Sequence, residues 1–260
     1  MTDSGAKSAN RRSFRARKAA TALLGAGGTA AFIHALPGVV AWREARCRLL
    51  PRLSGVGEAN HIALTFDDGP DPASTPAVLG ALDEMGWQAT FFCLGMQAHR
   101  SPGLARELSD RGHEVAVHGY DHRSHLLRSP AATVDDVRRA RDCLEDVTGQ
   151  KMRWFRPPYG GVALPSILAG SRAGLQMVLW TTWGIDWRPD SSGETVSENV
   201  IRTFHPGATV LLHDSDITSA PGSWRSTVAA LPRLAERWAA AGLSVGPLRE
   251  HGIARPPVKP

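Results

Sequence analysis

Two neighbouring carboxylates, Asp67 and Asp68, close an apolar run over residues 62–66 and are followed at once by Gly69-Pro70. In a straight strand adjacent side chains point to opposite faces. A turn starting at Gly69 is therefore needed if both acids are to face one site. Two acids held together repel unless a cation or an arginine joins them. On its own the stretch also reads as an ordinary Asp-Asp-Gly-Pro turn. The chain supplies candidates for the joining groups. His118 and His122 stand in His-Gly-Tyr-Asp-His, a spacing that puts two imidazoles one helical turn apart on one face. With Asp68 they make an Asp-His-His set, and three protein ligands with one open position is the arrangement of a catalytic zinc.

Three further stretches carry chemistry. Arg156-Pro157-Pro158-Tyr159-Gly160 sets an arginine in a loop stiffened by two prolines. A fixed guanidinium beside the acid pair would lower a carboxylate pKa and orient the group. Trp183-Gly184-Ile185-Asp186-Trp187 offers a carboxylate next to an indole, and Leu211-Leu212-His213-Asp214 ends an apolar run in an imidazole. A histidine past a strand end is as often a capped core residue as a functional one. Asp214-Ser215-Asp216 and Trp224 read first as a solvated loop and second as substrate contacts.

The elements that must position these groups alternate along the chain. Strand-like runs fall at 62–66, 89–94, 114–118, 154–156, 177–182, 208–213 and 243–245, with helix-like segments at 75–85, 102–111, 133–147, 165–173, 194–204 and 223–241. Thr75-Pro76 reads as an N-cap followed by proline at the first helical position. Repeated strand–helix units imply a parallel sheet with helices outside it. The expected α/β fold is a distorted (β/α) barrel of about seven parallel strands, with an open doubly wound sheet as the alternative. In both, functional groups collect at the C-terminal ends of strands, and all five stretches sit there.

The pI of about 9.6 invites a nucleic-acid reading, but the charge is not in the domain. Residues 1–56 carry ten Lys and Arg against two acids, and the remainder carries 20 against 23. A nucleic-acid-binding domain would own a basic face; no nucleic acid is expected as a partner. Residues 19–42 are mostly apolar and long enough to span a membrane, and Arg11-Arg12-Ser13-Phe14 resembles a twin-arginine export signal. The expectation is a targeting or membrane-anchor segment over 1–56, acting outside the cytoplasm. A cleaved signal and a soluble helix packed on the domain are the alternatives. The domain is expected over 57–250, with a tail over 251–260. Three cysteines without CxxC spacing give no cysteine zinc site and no disulfide framework.

Taken together and in order, the five motifs resemble those of the NodB-homology polysaccharide deacetylases, carbohydrate esterase family 4, over roughly residues 61–245. The resemblance implies a distorted barrel and metal-dependent removal of acetyl groups from N-acetylated sugars of a polysaccharide or oligosaccharide. It implies Asp67 as general base, Arg156 as its holder, and Asp68, His118 and His122 as ligands of a divalent metal, zinc in the first place and cobalt as the alternative. It further implies the backbone N–H of Tyr159 as an oxyanion donor, His213 as general acid held protonated by Asp186 with Trp187 as a packing support, Leu211 as part of the acetyl-methyl pocket, and Tyr159, Trp187 and Leu211 as the substrate-binding set. Two positions depart from the family pattern: Gly119 follows the first metal histidine where Ser or Thr is usual, and Trp183 stands where a further Asp is usual. Two other readings keep the fold: hydrolysis of a different C–N amide or of an O-acetyl ester, and a catalytically silent carbohydrate-binding module.

Overall fold

Strand β1 (His61–Asp67) is buried along all seven residues and forms the middle of the sheet in the computed structural model, which describes residues 42–253. The other strands are β2 (Thr90–Cys93), β3 (Glu114–Val117), β4 (Trp154–Phe155), β5 (Gln176–Met177), β6 (Thr182–Trp183), β7 (Thr209–His213) and β8 (Ser244–Gly246). Their order is β5-β4-β3-β2-β1-β7-β6, every pair parallel, with β8 paired to the first half of β1. Each step along this path joins strands adjacent in sequence, except β1–β7. That one pairing brings the end of the chain back to its start, as a curling barrel requires. The expected distorted (β/α) barrel is therefore the fold, and the doubly wound alternative is not.

Nine helices surround the sheet among the described residues: α1 (Arg43–Leu49), α2 (Pro51–Ser54), α3 (Thr75–Met85), α4 (Gly95–Arg100), α5 (Pro102–Asp110), α6 (Pro130–Thr148), α7 (Leu164–Arg172), α8 (Gly193–Arg202) and α9 (Trp224–Ala240). Period-two alternation sorts the strand residues between two clusters. Ile62, Leu64 and Phe66 pack with the helices, while Ala63 joins Phe92, Ala116, Trp154 and Val178 in the barrel interior. Burying each large apolar side chain contributes about 1.5–3 kcal/mol. The same parity has a functional consequence. Asp67 lies two pleats beyond Ala63, His118 one pleat beyond Ala116 and Arg156 one pleat beyond Trp154, so all three continue the inward row at the top of the barrel.

The run expected as one strand over 177–182 is split. Val178 N donates to Phe155 O (3.0 Å), on the β4 side, and Thr181 N donates to Thr209 O (2.9 Å), on the β7 side. A segment crossing from one edge of the barrel to the other cannot pair with both along its length. Side chains satisfy it instead. Arg156 donates to the carbonyls of Val178 and Leu179, Arg46 to that of Trp180 and Arg43 to that of Thr181, while Leu179 N donates to Leu53 O (2.7 Å).

This seam corrects the expected boundaries. The compact unit begins at Arg43, not residue 57, because α1 and α2 cap the seam. Arg43 and Arg46, counted with the basic residues of 1–56, are bonded to the barrel. At the other end His251 is fully buried and Ile253 is 5% exposed, so the domain extends past residue 250. Residues 1–41, which hold most of the expected anchor over 19–42, lie outside the described residues. Among those described, no helix is long and apolar enough to cross a membrane. Thr75 is not the N-cap of α3: Ser74 takes that position, and the Thr75 hydroxyl donates to Asp214 (2.6 Å).

A chain starting at residue 57 loses the Leu53 acceptor, both seam arginines and the Gly55 carbonyl that accepts from Thr209 Oγ1 (2.6 Å). At about 1 kcal/mol per hydrogen bond and about 2–4 °C per kcal/mol for a domain of this size, its melting temperature is expected roughly 10 °C below that of residues 42–260. Equal melting curves for the two chains would refute the seam's role.

Candidate active site

The acid pair is turned at Asp68 itself, which takes a left-handed φ of 84°, one residue earlier than expected. Asp is among the few residue types that tolerate this region. The turn brings both carboxylates to the same end of the barrel, where they line a cavity of about 270 Å³. Asp214 braces it from below, accepting from Gly69 N (3.1 Å) and from Thr75 Oγ1. A Cβ at residue 69 would lie 2.0 Å from Asp214 Oδ2, so only glycine fits. Asp214, read from sequence as part of a solvated loop, is buried (1% exposed). Burial pushes its carboxyl up to about 7. Trp224, the other loop candidate, stacks under Arg225 and does not line the cavity.

Asp67 Oδ1 accepts from Arg156 Nη1 at 2.6 Å, leaving Oδ2 turned toward His118 Nε2, 3.6 Å away. The histidines are not brought together by a helix, as their spacing suggested. Residues 118–122 form an irregular loop with Gly119 at φ 90° and His122 at φ 54°, and the two imidazole centroids lie 5.1 Å apart. Gly119 has a local cause: a Cβ there would come 2.8 Å from Asp136 Oδ2. That carboxylate is held by His125 (3.1 Å) and Arg128 (2.9 Å), so a buried acid from α6 occupies the space that a serine or threonine would need.

Asp68, His118 and His122 offer one ligand atom each, all within 4.8 Å of one another. His118 Nδ1 pairs with Arg156 O (2.9 Å), a carbonyl that can only accept. Its Nε2 is then a lone pair in the neutral ring, and it lies 3.4 Å from Asp68 Oδ1. His122 Nε2 lies 3.1 Å from the same oxygen. Neither ring is aligned to donate to it: Asp68 Oδ1 is buried without a hydrogen-bond donor. Three electron-pair donors converging out of water repel unless a cation lies between them. The donor set, two imidazoles and one carboxylate oxygen, suits zinc or a similar divalent ion. The same field acts on protons: burial pulls His118 down, and the charges of Asp67 and Asp68 outweigh it and raise its pKa.

Across the cavity His213 Nδ1 pairs with Asp186 Oδ1 (2.8 Å), and Asp186 Oδ2 accepts from His213 N (2.7 Å) and Thr227 Oγ1 (2.7 Å). Burial opposes a charged imidazole, but Asp186, followed by Asp68 and Asp67, overcomes it and raises His213 to about 10. Trp187 meets His213 edge-on (5.6 Å, 82°), and Trp183 packs between Trp187 (5.3 Å) and Trp180 (5.8 Å). Tyr159, at φ 59° and 66% exposed, sets its ring 4.5 Å from that of His122.

Of the ten residues singled out from sequence, eight line the cavity: Asp67, Asp68, His118, His122, Tyr159, Trp187, Leu211 and His213. Arg156 and Asp186 stand behind them as buried partners. Sequence reasoning missed Thr65, whose hydroxyl accepts from Arg156 (2.9 Å); its place one pleat before Asp67 was the available signal. It also missed Trp180 and Thr218, which line the cavity. Thr218 sits in a polar loop with no diagnostic spacing.

Residues 54–178 match a family model described as polysaccharide deacetylase. The chain is 36% identical over 179 residues to a chitooligosaccharide deacetylase of a Bradyrhizobium species, covering 68% of this chain and 80% of the relative. It is 33% identical over 171 residues to the peptidoglycan-N-acetylglucosamine deacetylase PgdA of Listeria monocytogenes, covering 66% of this chain but only 36% of that longer protein. Among solved structures, a family 4 carbohydrate esterase pseudoenzyme from Bacillus anthracis superposes with a TM-score of 0.67 at 26% identity, covering 74% of this chain and 65% of that one. Both the motifs and these likenesses lead to one statement: the chain belongs to the polysaccharide deacetylase family.

Proposed function

We propose that this protein is a metal-dependent hydrolase that removes acetyl groups from N-acetylated sugars of a polysaccharide such as peptidoglycan or a chitin-like oligomer. The observation that carries the reading is the meeting, in one cavity, of an arginine-held carboxylate (Asp67), an Asp-His-His donor set and a carboxylate-held imidazole (His213). Asp68, His118 and His122 would hold a divalent ion, zinc or alternatively cobalt, which would supply Lewis acidity toward the acyl carbonyl and the nucleophilic water.

The chain's own residues account for the proton movements. Asp67 takes a proton from the attacking water; the bond from Arg156 holds Oδ1 and leaves Oδ2 to do so. The backbone N–H of Tyr159 donates to the oxygen on which negative charge develops. His213, kept protonated by Asp186, gives its proton to the departing amine nitrogen as the C–N bond breaks. Leu211 and Trp187 form an apolar wall for the acetyl methyl group. Trp180, Trp183 and Tyr159 extend it with ring faces, which suit the C–H faces of a pyranose. The substrates named for the Bradyrhizobium and Listeria relatives support an N-acetylated glycan. Action outside the cytoplasm fits that substrate and the anchor expected over residues 19–42. The family also contains a pseudoenzyme, so turnover itself is the test.

Residues 42–260 are expected to release acetate from N-acetylglucosamine oligomers and peptidoglycan fragments with added zinc or cobalt, and to lose that activity to a chelator. Ester hydrolysis with intact amides would redirect the reading to O-acetyl groups. No turnover despite bound metal would favour the silent binding module. His118→Ala is expected to lose both metal and activity. Asp67→Asn is expected to keep metal and fall by about 10²–10⁴-fold in kcat; near-normal turnover in that variant would remove Asp67 as base.

A pH profile checks the acid. His213 must carry its proton, so activity is retained below its pKa and lost as pH rises through it. With that pKa raised to about 10, the alkaline limb of kcat lies well above neutrality. Asp186→Asn removes the chief attraction for the proton and moves the limb toward neutral pH. An unmoved limb would mean that His213 is not the acid.

A further inference from the structure

Thr218 stands on the turn between β7 and α9, exposed at the rim of the cavity. Its hydroxyl nevertheless reaches inward and donates to the fully buried Asp68, at Oδ2, over 2.6 Å. The turn is fixed from three directions. Ser215 Oγ donates to Asp71 Oδ2 (3.1 Å), Ser219 N to Asp216 O (3.0 Å) and Ala220 N to Trp187 O (3.0 Å). The hydroxyl thus arrives from a set backbone and not from a mobile one. The two oxygens of Asp68 are left in different situations. Oδ2 is engaged by Thr218, while Oδ1 has no donor and faces Nε2 of both His118 and His122. The terminal torsion of an aspartate is broad, and a carboxylate free at both oxygens can offer one or both to a cation. Offering both would consume a position that a catalytic site keeps open.

We propose that Thr218 is a positioning residue that presents Asp68 to the ion through Oδ1 alone and so keeps one coordination position clear. The proposal rests on the reading that Asp68, His118 and His122 hold a divalent metal. Partners that orient a ligating carboxylate typically change metal affinity or activity by 10–100-fold when removed. Thr218 does this from outside the five motifs, on a loop whose sequence gives no sign of it.

The experiment titrates the full chain with cobalt(II) against a competing chelator, recording the visible absorption of the bound ion for the wild type, Thr218→Val and Thr218→Ser. Valine keeps the shape without the hydroxyl, and the exposed position lets the fold stand, which far-UV circular dichroism checks. The valine variant is expected to bind cobalt about tenfold more weakly with an altered visible band, and the serine variant to match the wild type in both. A valine variant indistinguishable from wild type overturns the role of Thr218 and leaves the metal site standing. A folded wild type that takes up no cobalt overturns the metal reading and the proposal with it.

Discussion

A single guanidinium with no exposure to solvent organises this molecule. Arg156 holds Asp67 and Thr65 on one side and the carbonyls of Val178 and Leu179 on the other. It lies over the ring of Phe92 (3.9 Å), and its own backbone oxygen fixes the ring of His118. The candidate base, a candidate metal ligand and the barrel's unpaired segment therefore share one residue. Breaking a buried ion pair from one side leaves an uncompensated charge and costs about 3–5 kcal/mol. Such an arrangement ties the candidate chemistry to stability: the group that orients the candidate base also fills the gap in the wall beside it.

Much of this was legible in the sequence because barrels put function at strand ends. Once the strands were placed, Asp67, His118 and Arg156 stood at their C-terminal ends without reference to any relative, and the structure's alternation between its two clusters then turned all three inward. What was not legible followed from backbone conformations that residue types do not announce. The His-x-x-x-His spacing suggested a helix, yet left-handed Gly119 and His122 bring the rings together by a different path. The turn at Asp68 began a residue early because Asp214, distant in sequence, supports it. The arginines of α1 were counted with the targeting segment because charge composition carries no information about which carbonyls lack partners.

The two departures from the family pattern have different physical standing. Gly119 is required by what surrounds it, since Asp136 fills the space where a side chain would go, and Asp136 is in turn held by His125 and Arg128. Trp183 fills no such void. It stacks between Trp180 and Trp187 on the cavity wall, 37% exposed, and exchanges a charge for a ring on that wall.

The seam between β5 and β6 has a consequence for how this site can change. In a closed barrel, strand number and stagger set the radius together, and altering the width of the mouth means altering the register of every strand. Here part of the circumference is bridged by arginine side chains and a short helical segment. Its width is set by side-chain reach and not by a ladder. Substitutions along α1, α2 and the 178–181 crossing can widen or narrow the cavity while β1 keeps its register, so the shape of the accepted ligand can drift across evolution while the reacting groups stay where they are.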